Sequence, residues 1–321
     1  MPLRCAILDD YQHAALRCAD WTSLAPQVEV QVFADHLDDD ARLVERLRPF
    51  DIIVAMRERT AFTAVRLAGL PRLKLLVTTG MRNAAIDVAA ATARGVAVCG
   101  TEGTPHGTPE LTWALILGLA RHLGTELATF RAGGPWQSTL GMELAGKTLG
   151  VIGLGNIGAR VARVGLAFGM RVQAWSRNLT AARCAEIGIA QAPALEALLA
   201  GSDVVTVHLK LGPASEGLIG AAELAALRPR ALLVNTARAQ IVQEAPLLEA
   251  LRSGRLAGYA TDVFWTEPLP AAHPFRGMPN VLATPHLGYV TEDTYRLFHG
   301  GAVEDIRAWL AGRPIRVLMP G

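Results

Sequence analysis

Five short strand-like runs, most of them nearly continuous in apolar residues, mark the first third of the chain: Leu3 to Leu8, Val28 to Phe33, Asp51 to Ala55, Leu73 to Thr78 and Val96 to Cys99. Among them lie segments with helical spacing, Asp39 to Leu47, Thr63 to Ala68 and Ile86 to Arg94. Strands that are apolar throughout, rather than at alternate positions, are buried on both faces, and intervening helices supply the cover. The pattern predicts a parallel sheet. A loop from Gly100 to Thr108 leads into one long helical pattern, Pro109 to about Arg131, which Gly133-Gly134-Pro135 breaks. A second alternating series then begins. Its six predicted strands are Thr148 to Ile152, Arg171 to Trp175, Asp203 to His208, Ala231 to Asn235, Gly258 to Asp262 and Asn280 to Ala283. The last helical pattern, Thr291 to Leu310, follows that sheet and is free to return to the first one. The fold class is therefore α/β, with two doubly wound parallel-sheet domains. Neither half contains a low-complexity segment or a short repeat.

The run Val151-Ile152-Gly153-Leu154-Gly155-Asn156-Ile157-Gly158 stands between a strand and an amphipathic helix, Asn156 to Phe168. Gly153 permits a tight turn, Gly155 lets the backbone approach a pyrophosphate, and Gly158 lets helix and strand pack closely. The helix start at Asn156 and Ile157 then offers N–H groups and a positive dipole end to phosphates. Three glycines at this spacing are weak evidence alone and fit an ordinary glycine-rich turn. Their placement is what points to a dinucleotide.

Composition narrows the partners. The chain has 321 residues, enough for two domains, and 19% charged residues with 51% hydrophobic argues for packed cores. A net charge of +2 without a basic stripe argues against nucleic acid. Cys5, Cys18, Cys99 and Cys184 lack metal-ligand spacing and read as buried thiols in a reducing compartment. The beginning of the chain lacks a signal-peptide core, and the most apolar stretch, Leu111 to Ala120, is too short to span a bilayer. The expectation is a cytoplasmic protein without a membrane partner.

Chemistry is expected on loops that follow strands of the second series. Arg238 follows Leu232-Leu233-Val234-Asn235, Glu267 follows Thr261-Asp262-Val263-Phe264, and His286 follows Val281-Leu282-Ala283. Singly, each has a plain reading: a surface arginine, a Glu-Pro turn, a loop histidine. Taken with the glycine turn, the segments Asn235-Thr236-Ala237-Arg238, Asp262-Val263-Phe264, Glu267-Pro268-Leu269 and Pro285-His286-Leu287-Gly288 resemble the D-isomer-specific 2-hydroxyacid dehydrogenases, in order and over nearly the whole chain.

The resemblance implies a Rossmann cofactor domain, residues 101–285, and a flavodoxin-like substrate domain, residues 1–100 with 286–321, with the active site in the cleft between them. It implies a hydride moved between a nicotinamide and C2 of a small 2-hydroxy or 2-keto acid, with no metal required; if the cofactor is NADP(H), 2-keto acid reduction (glyoxylate, hydroxypyruvate) is the expected direction. Arg238 would hold the substrate carboxylate and C2 oxygen through its planar fork. His286 would carry the proton, since an imidazole ordinarily titrates near 6.5 and serves both directions. Glu267 would orient that imidazole and favour its charged form. Gly153, Gly155, Asn156, Ile157, Gly158, Ser176, Arg177, His208, Thr236, Asp262, Thr108 and Gly288 would contact the cofactor; His106, in the loop between domains, is a weaker candidate.

At the end of the second strand, Ser176 stands where NAD-preferring members usually carry Asp, and Arg177 follows it. Loss of the carboxylate removes a repulsion from a 2′-phosphate that Arg177 can pair, which favours NADP(H) over NAD(H). An arginine stacked on adenine fits either cofactor. Gly80, Met81 and Arg82 lie in Thr78-Thr79-Gly80-Met81-Arg82-Asn83, where the family often cradles the substrate carboxylate with a Gly-x-Gly backbone. Arg82 replaces the second glycine. Either Arg82 and Asn83 point inward and select a substrate with an extra polar group, or Arg82 caps the loop on the surface. Trp265, just before Glu267, is expected to wall the pocket or pack between domains. The long apolar helix from Pro109, with the family's habit, suggests a homodimer. A non-enzymatic dinucleotide-sensing regulator on the same fold, and a phosphite-type dehydrogenase, remain alternatives; the intact Arg238, Glu267, His286 set argues against the regulator.

Overall fold

The structure, a computed structural model, describes residues 1–320, which divide into two compact units. One comprises Met1–Thr104 together with the chain from Val290 onward, and the other Pro105–Tyr289. The second division follows Tyr289, so His286 and Gly288 belong with the second sheet and not, as expected from the sequence, with the first.

The first unit holds β1 (Leu3–Ile7), β2 (Val28–Val32), β3 (Ile52–Ala55), β4 (Leu75–Thr78) and β5 (Ala97–Gly100), all parallel, in the order β2-β1-β3-β4-β5. Every residue of β3 and β4 is buried, which explains their unbroken apolar runs. Leu43, Leu47 and Leu67 from the intervening helices, with Phe62 from the loop before the second of them, pack on one face. Trp21, Leu24, Ala302, Val303 and Ile306 cover the other. The last three come from the helix Glu292–Leu310, which does return to this sheet. Thr291 caps that helix by accepting the Thr294 N–H, and Glu292 and Asp293 complement its positive end.

The second unit holds β6 (Thr148–Ile152), β7 (Arg171–Trp175), β8 (Ala190–Gln191), β9 (Val204–Val207), β10 (Leu232–Asn235), β11 (Gly258–Thr261) and β12 (Val281–Ala283). They form one parallel sheet in the order β12-β11-β10-β9-β6-β7-β8. Its order reverses beside β6, the place where ligands collect in open α/β sheets. Seven strands replace the six expected. The addition, β8, is two exposed residues paired to Gln173 and Ala174, too short and polar to leave an apolar signature.

The long helix expected from Pro109 to Arg131 is two helices, Gly107–Ala120 and Leu123–Arg131. Trp113, Leu115, Ile116 and Leu119 of the first are drawn onto Leu149, Val151, Val234 and Ala260 of the sheet. His122 takes a left-handed backbone, φ 52°, and redirects the chain. The second helix buries no residue in its own unit. Among the described residues no helix is long and apolar enough to cross a membrane.

Candidate active site

The glycine turn is built as its spacing requires. Gly153 has φ 97°, and its N–H donates to the Trp175 carbonyl at 2.8 Å. A Cβ at Gly153 would stand 2.9 Å from the His208 backbone, and one at Gly158 would collide with the Gly153 carbonyl. Nothing lies within 4 Å of the place a Cβ would take on Gly155. Gly155 also starts the helix Asn156–Ala167 without a side-chain cap, so the first-turn N–H groups are open to an anion. This open cradle at a helix N-terminus fits a dinucleotide pyrophosphate. Gly155 and Asn156 are exposed and Ile157 is half-buried.

Around that turn, Ser176 is half-buried and Arg177 exposed at the end of β7. His208 follows β9, its N–H donates to the Ile152 carbonyl at 2.7 Å, and its Nε2 lies 2.9 Å from Thr206 Oγ1. Burial pushes its imidazole down to about 3, so it is neutral at working pH. Thr236 Oγ1 and Thr112 Oγ1 share a hydrogen bond at 2.8 Å. Thr108 Oγ1 donates to the Gly288 carbonyl at 3.2 Å.

Adjacent strands β10, β11 and β12 bring Arg238, Glu267 and His286 to the same C-terminal edge of the sheet. The Asn235 side chain shapes the first loop: its Oδ1 accepts the Ala237 N–H and its Nδ2 donates to the Arg238 carbonyl, both at 3.0 Å. Arg238 is half-buried, and its Nη1 donates to the Ala237 carbonyl at 2.8 Å. Glu267 Oε1 accepts the Phe264 N–H at 2.9 Å, while Oε2 lies 2.7 Å from His286 Nδ1. An ionised carboxylate only accepts, so Nδ1 carries the hydrogen and Nε2 is left for a substrate oxygen. Both side chains keep part of their surface, 26% for His286 and 36% for Glu267, so the pair is reachable.

His286 sits at φ 55°, a left-handed backbone that a non-glycine residue adopts only under constraint. Asp262 supplies the constraint. Its Oδ1 accepts the Thr284 hydroxyl at 2.7 Å and the Leu287 N–H at 2.6 Å, and its Oδ2 accepts the Gly288 N–H at 2.8 Å. Burial raises the Asp262 carboxyl, opposed by those donors and by His286. A side chain expected to touch the cofactor thus also fixes the turn that aims His286.

Other residues fall where the sequence did not place them. Trp265 is half-buried: its Nε1–H donates to the Val242 carbonyl at 3.1 Å and its ring packs against Phe275. His106 is exposed beside Arg160. In the first unit, Gly80 is buried with φ 91°, and Met81 and Arg82 are exposed. Asn83 is not a contact waiting for a substrate: its Nδ2 donates to the Arg57 carbonyl at 2.6 Å and to Thr78 Oγ1 at 2.8 Å. Arg57 was not singled out from the sequence. It follows β3 with φ 51°, donates through Nη1 to the Thr79 carbonyl at 3.2 Å, and lays its guanidinium over Gly80. An arginine directly after a buried strand was the available signal, the same one that marks Arg238.

Comparison with known proteins places the chain among relatives. Residues 113–288 match the family model described as the D-isomer specific 2-hydroxyacid dehydrogenase, NAD binding domain. A glyoxylate reductase from Aeropyrum pernix is 39% identical over 257 residues, 77% of this chain and 76% of that protein. A D-3-phosphoglycerate dehydrogenase from Mycobacterium tuberculosis is 36% identical over 293 residues, 90% of this chain and 54% of that protein. The chain spans about half the length of that relative. The crystal structure of a phosphoglycerate oxidoreductase from Vibrio cholerae superposes with TM-score 0.91 at 37% identity, covering 97% of this chain and 99% of that one. The fold and the site define a nicotinamide-dependent oxidoreductase. The chain belongs to the D-isomer-specific 2-hydroxyacid dehydrogenase family.

Proposed function

We propose that this enzyme reduces a small 2-keto acid, of the size of glyoxylate or hydroxypyruvate, with NADP(H) favoured over NAD(H). The observation that carries the reading is the Glu267–His286 pair at 2.7 Å, on the same sheet edge as an open phosphate cradle and Arg238. A bound nicotinamide supplies the hydride. The proposed roles of the chain's own residues are these. Arg238 holds the carboxylate and draws the C2 oxygen toward its fork. His286 donates the Nε2 proton to that oxygen as C2 becomes tetrahedral, and takes it back in the oxidative direction. Glu267 keeps Nδ1 protonated and stabilises the imidazolium before transfer. The first-turn N–H groups from Asn156 bind the pyrophosphate. Thr108, Thr236, Asp262 and Gly288 are proposed to face the nicotinamide end, and Gly80, Met81 and Arg82 to cradle the substrate carboxylate.

Preference for NADP(H) rests on Ser176 and Arg177 at the end of β7, where no carboxylate stands against a 2′-phosphate. The second unit also exposes Leu123, Leu127, Phe130, Trp136 and Leu140, more apolar surface in one stretch than a monomer usually leaves in water. We assign that surface to a second copy of the chain in a homodimer. The four cysteines are free thiols, which suits the cytoplasm.

A second reading has its own observation. Arg57, Arg59 and Arg82 follow the strands of the first unit and suit an additional anionic group, as on a phosphorylated 2-hydroxy acid. Steady-state rates with glyoxylate, hydroxypyruvate, pyruvate, phenylpyruvate, branched 2-keto acids and 3-phosphoglycerate, each with both nicotinamides, test both. The first reading expects highest kcat/KM for a small 2-keto acid with NADPH. The second expects 3-phosphoglycerate to win. Activity with neither class would contradict the proposal.

A further inference from the structure

The segment after the last helix reaches back to the loop assigned to the substrate carboxylate. Arg316 takes a left-handed backbone, φ 50°. Its carbonyl accepts the Gly100 N–H at 3.0 Å, Val317 bridges Cys99 in antiparallel sense, and the Leu318 N–H donates to the Val98 carbonyl at 2.8 Å. This short strip therefore lies along the free edge of β5. Its side chains fix it at two places. The Arg316 guanidinium donates to Asp305 Oδ1 at 3.0 Å, to Glu304 Oε2 at 3.0 Å and to the Gly301 carbonyl at 2.8 Å, all on the helix Glu292–Leu310. Leu318 packs into the apolar cluster under the sheet.

Gly100 stands between this strip and the Gly80 loop. A Cβ on Gly100 would stand 2.8 Å from the Gly80 carbonyl oxygen, 3.1 Å from Met81 Cα and 3.4 Å from Leu318 Cδ2. Gly80 is tied to the end of β5 as well, its N–H donating to Thr101 Oγ1 at 3.0 Å. Thr101 in turn abuts Gly301, whose carbonyl holds Arg316. A closed circuit results: Arg316, Gly301, Thr101, Gly80, Gly100, Leu318.

Asp305 is fully buried, and one of its carboxylate oxygens has no hydrogen-bond partner. Burial drives its carboxyl up to about 7 despite Arg316.

We propose that Arg316 is a positioning residue for the substrate loop: its clip on the last helix sets the 316–318 strip, and that strip sets the height of the Gly80–Met81 backbone. This rests on the reading of Gly80 to Arg82 as the carboxylate cradle. A shift of an ångström in such a backbone is felt in substrate binding.

The test compares Arg316→Gln and Leu318→Ala with the wild type. Leu318→Ala leaves the guanidinium clip intact and guards against a folding defect peculiar to Arg316. Hydrogen exchange is followed by mass spectrometry across Thr78 to Asn83, with steady-state kinetics on the best 2-keto acid and a fluorescence titration of the nicotinamide. The expected result is faster exchange at Thr78 to Asn83, a KM for the 2-keto acid raised about fivefold or more, kcat within about twofold, and unchanged nicotinamide affinity. Arg316→Lys, which keeps one donor, should recover part of the KM. Unchanged exchange at Thr78 to Asn83 in both variants overturns the proposal. Faster exchange with an unchanged KM overturns the cradle reading and the proposal with it. Equal losses in kcat, KM and nicotinamide affinity mark general destabilisation and also overturn it.

Discussion

Glu267 and His286 are joined at 2.7 Å through Oε2 and Nδ1, and the other carboxylate oxygen is anchored on the Phe264 N–H at 2.9 Å. The carboxylate therefore cannot rotate away without losing a backbone donor, and the imidazole is held in the tautomer that presents Nε2. Replacing Glu267 by Gln keeps an acceptor and removes the charge. With no anion beside it, the imidazolium that donates the proton loses its counter-charge. The kcat/KM for 2-keto acid reduction should fall on the order of tenfold to a hundredfold. A rate equal to that of the wild type would contradict this role.

Ser176→Asp restores a carboxylate at the end of β7, within one residue of Arg177. The ratio of kcat/KM for NADPH over NADH should fall by on the order of tenfold or more, the factor that about 1.4 kcal/mol carries. Arg177→Ala should move the ratio the same way. A wild type that strongly prefers NADH would remove the cofactor preference at its base.

Leu123, Leu127 and Phe130 lie three and four residues apart on a helix with no buried side chain, and Trp136 packs against Phe130. Light scattering should give twice the chain mass. Leu127→Asp combined with Phe130→Asp should halve it. A monomeric wild type would contradict the homodimer.

Asp305 gives a stability effect of defined sign. Folded, it keeps its proton up to about 7, against a usual value of 3.8. Across that window the folded chain binds more protons than the unfolded one, so this group's contribution falls as pH rises and is complete only at the acid end. The Tm of the wild type, taken relative to Asp305→Asn, should decrease from about pH 4 to about pH 7. A difference that stays flat, or rises, would contradict the assignment.

How much of this was legible in the chain follows from what each feature needs. β3, β4, β9 and β10 are buried throughout, and such strands read as unbroken apolar runs. β8 was hidden because two exposed residues carry no pattern. The break at His122 was hidden because the nearest glycine, Gly124, falls inside the second helix and apolar helical spacing resumes at Leu123. The Glu267–His286 pair was legible through its motifs, whereas the part Asp262 plays in shaping the His286 turn depends on contacts made only after folding. Arg57 over Gly80 and Arg316 on Asp305 join residues distant in sequence, and neither partner announces the other.

The most direct measurement follows deuterium from a nicotinamide labelled at C4 into the product of 2-keto acid reduction, in the wild type and in His286→Ala. The wild type should place the label at C2 of a 2-hydroxy acid, one label for each cofactor oxidised. His286→Ala should bind the nicotinamide normally and lose about a hundredfold to ten-thousandfold in kcat, as expected for removal of the proton donor. Absence of label at C2, or undiminished turnover in His286→Ala, would contradict the central claim.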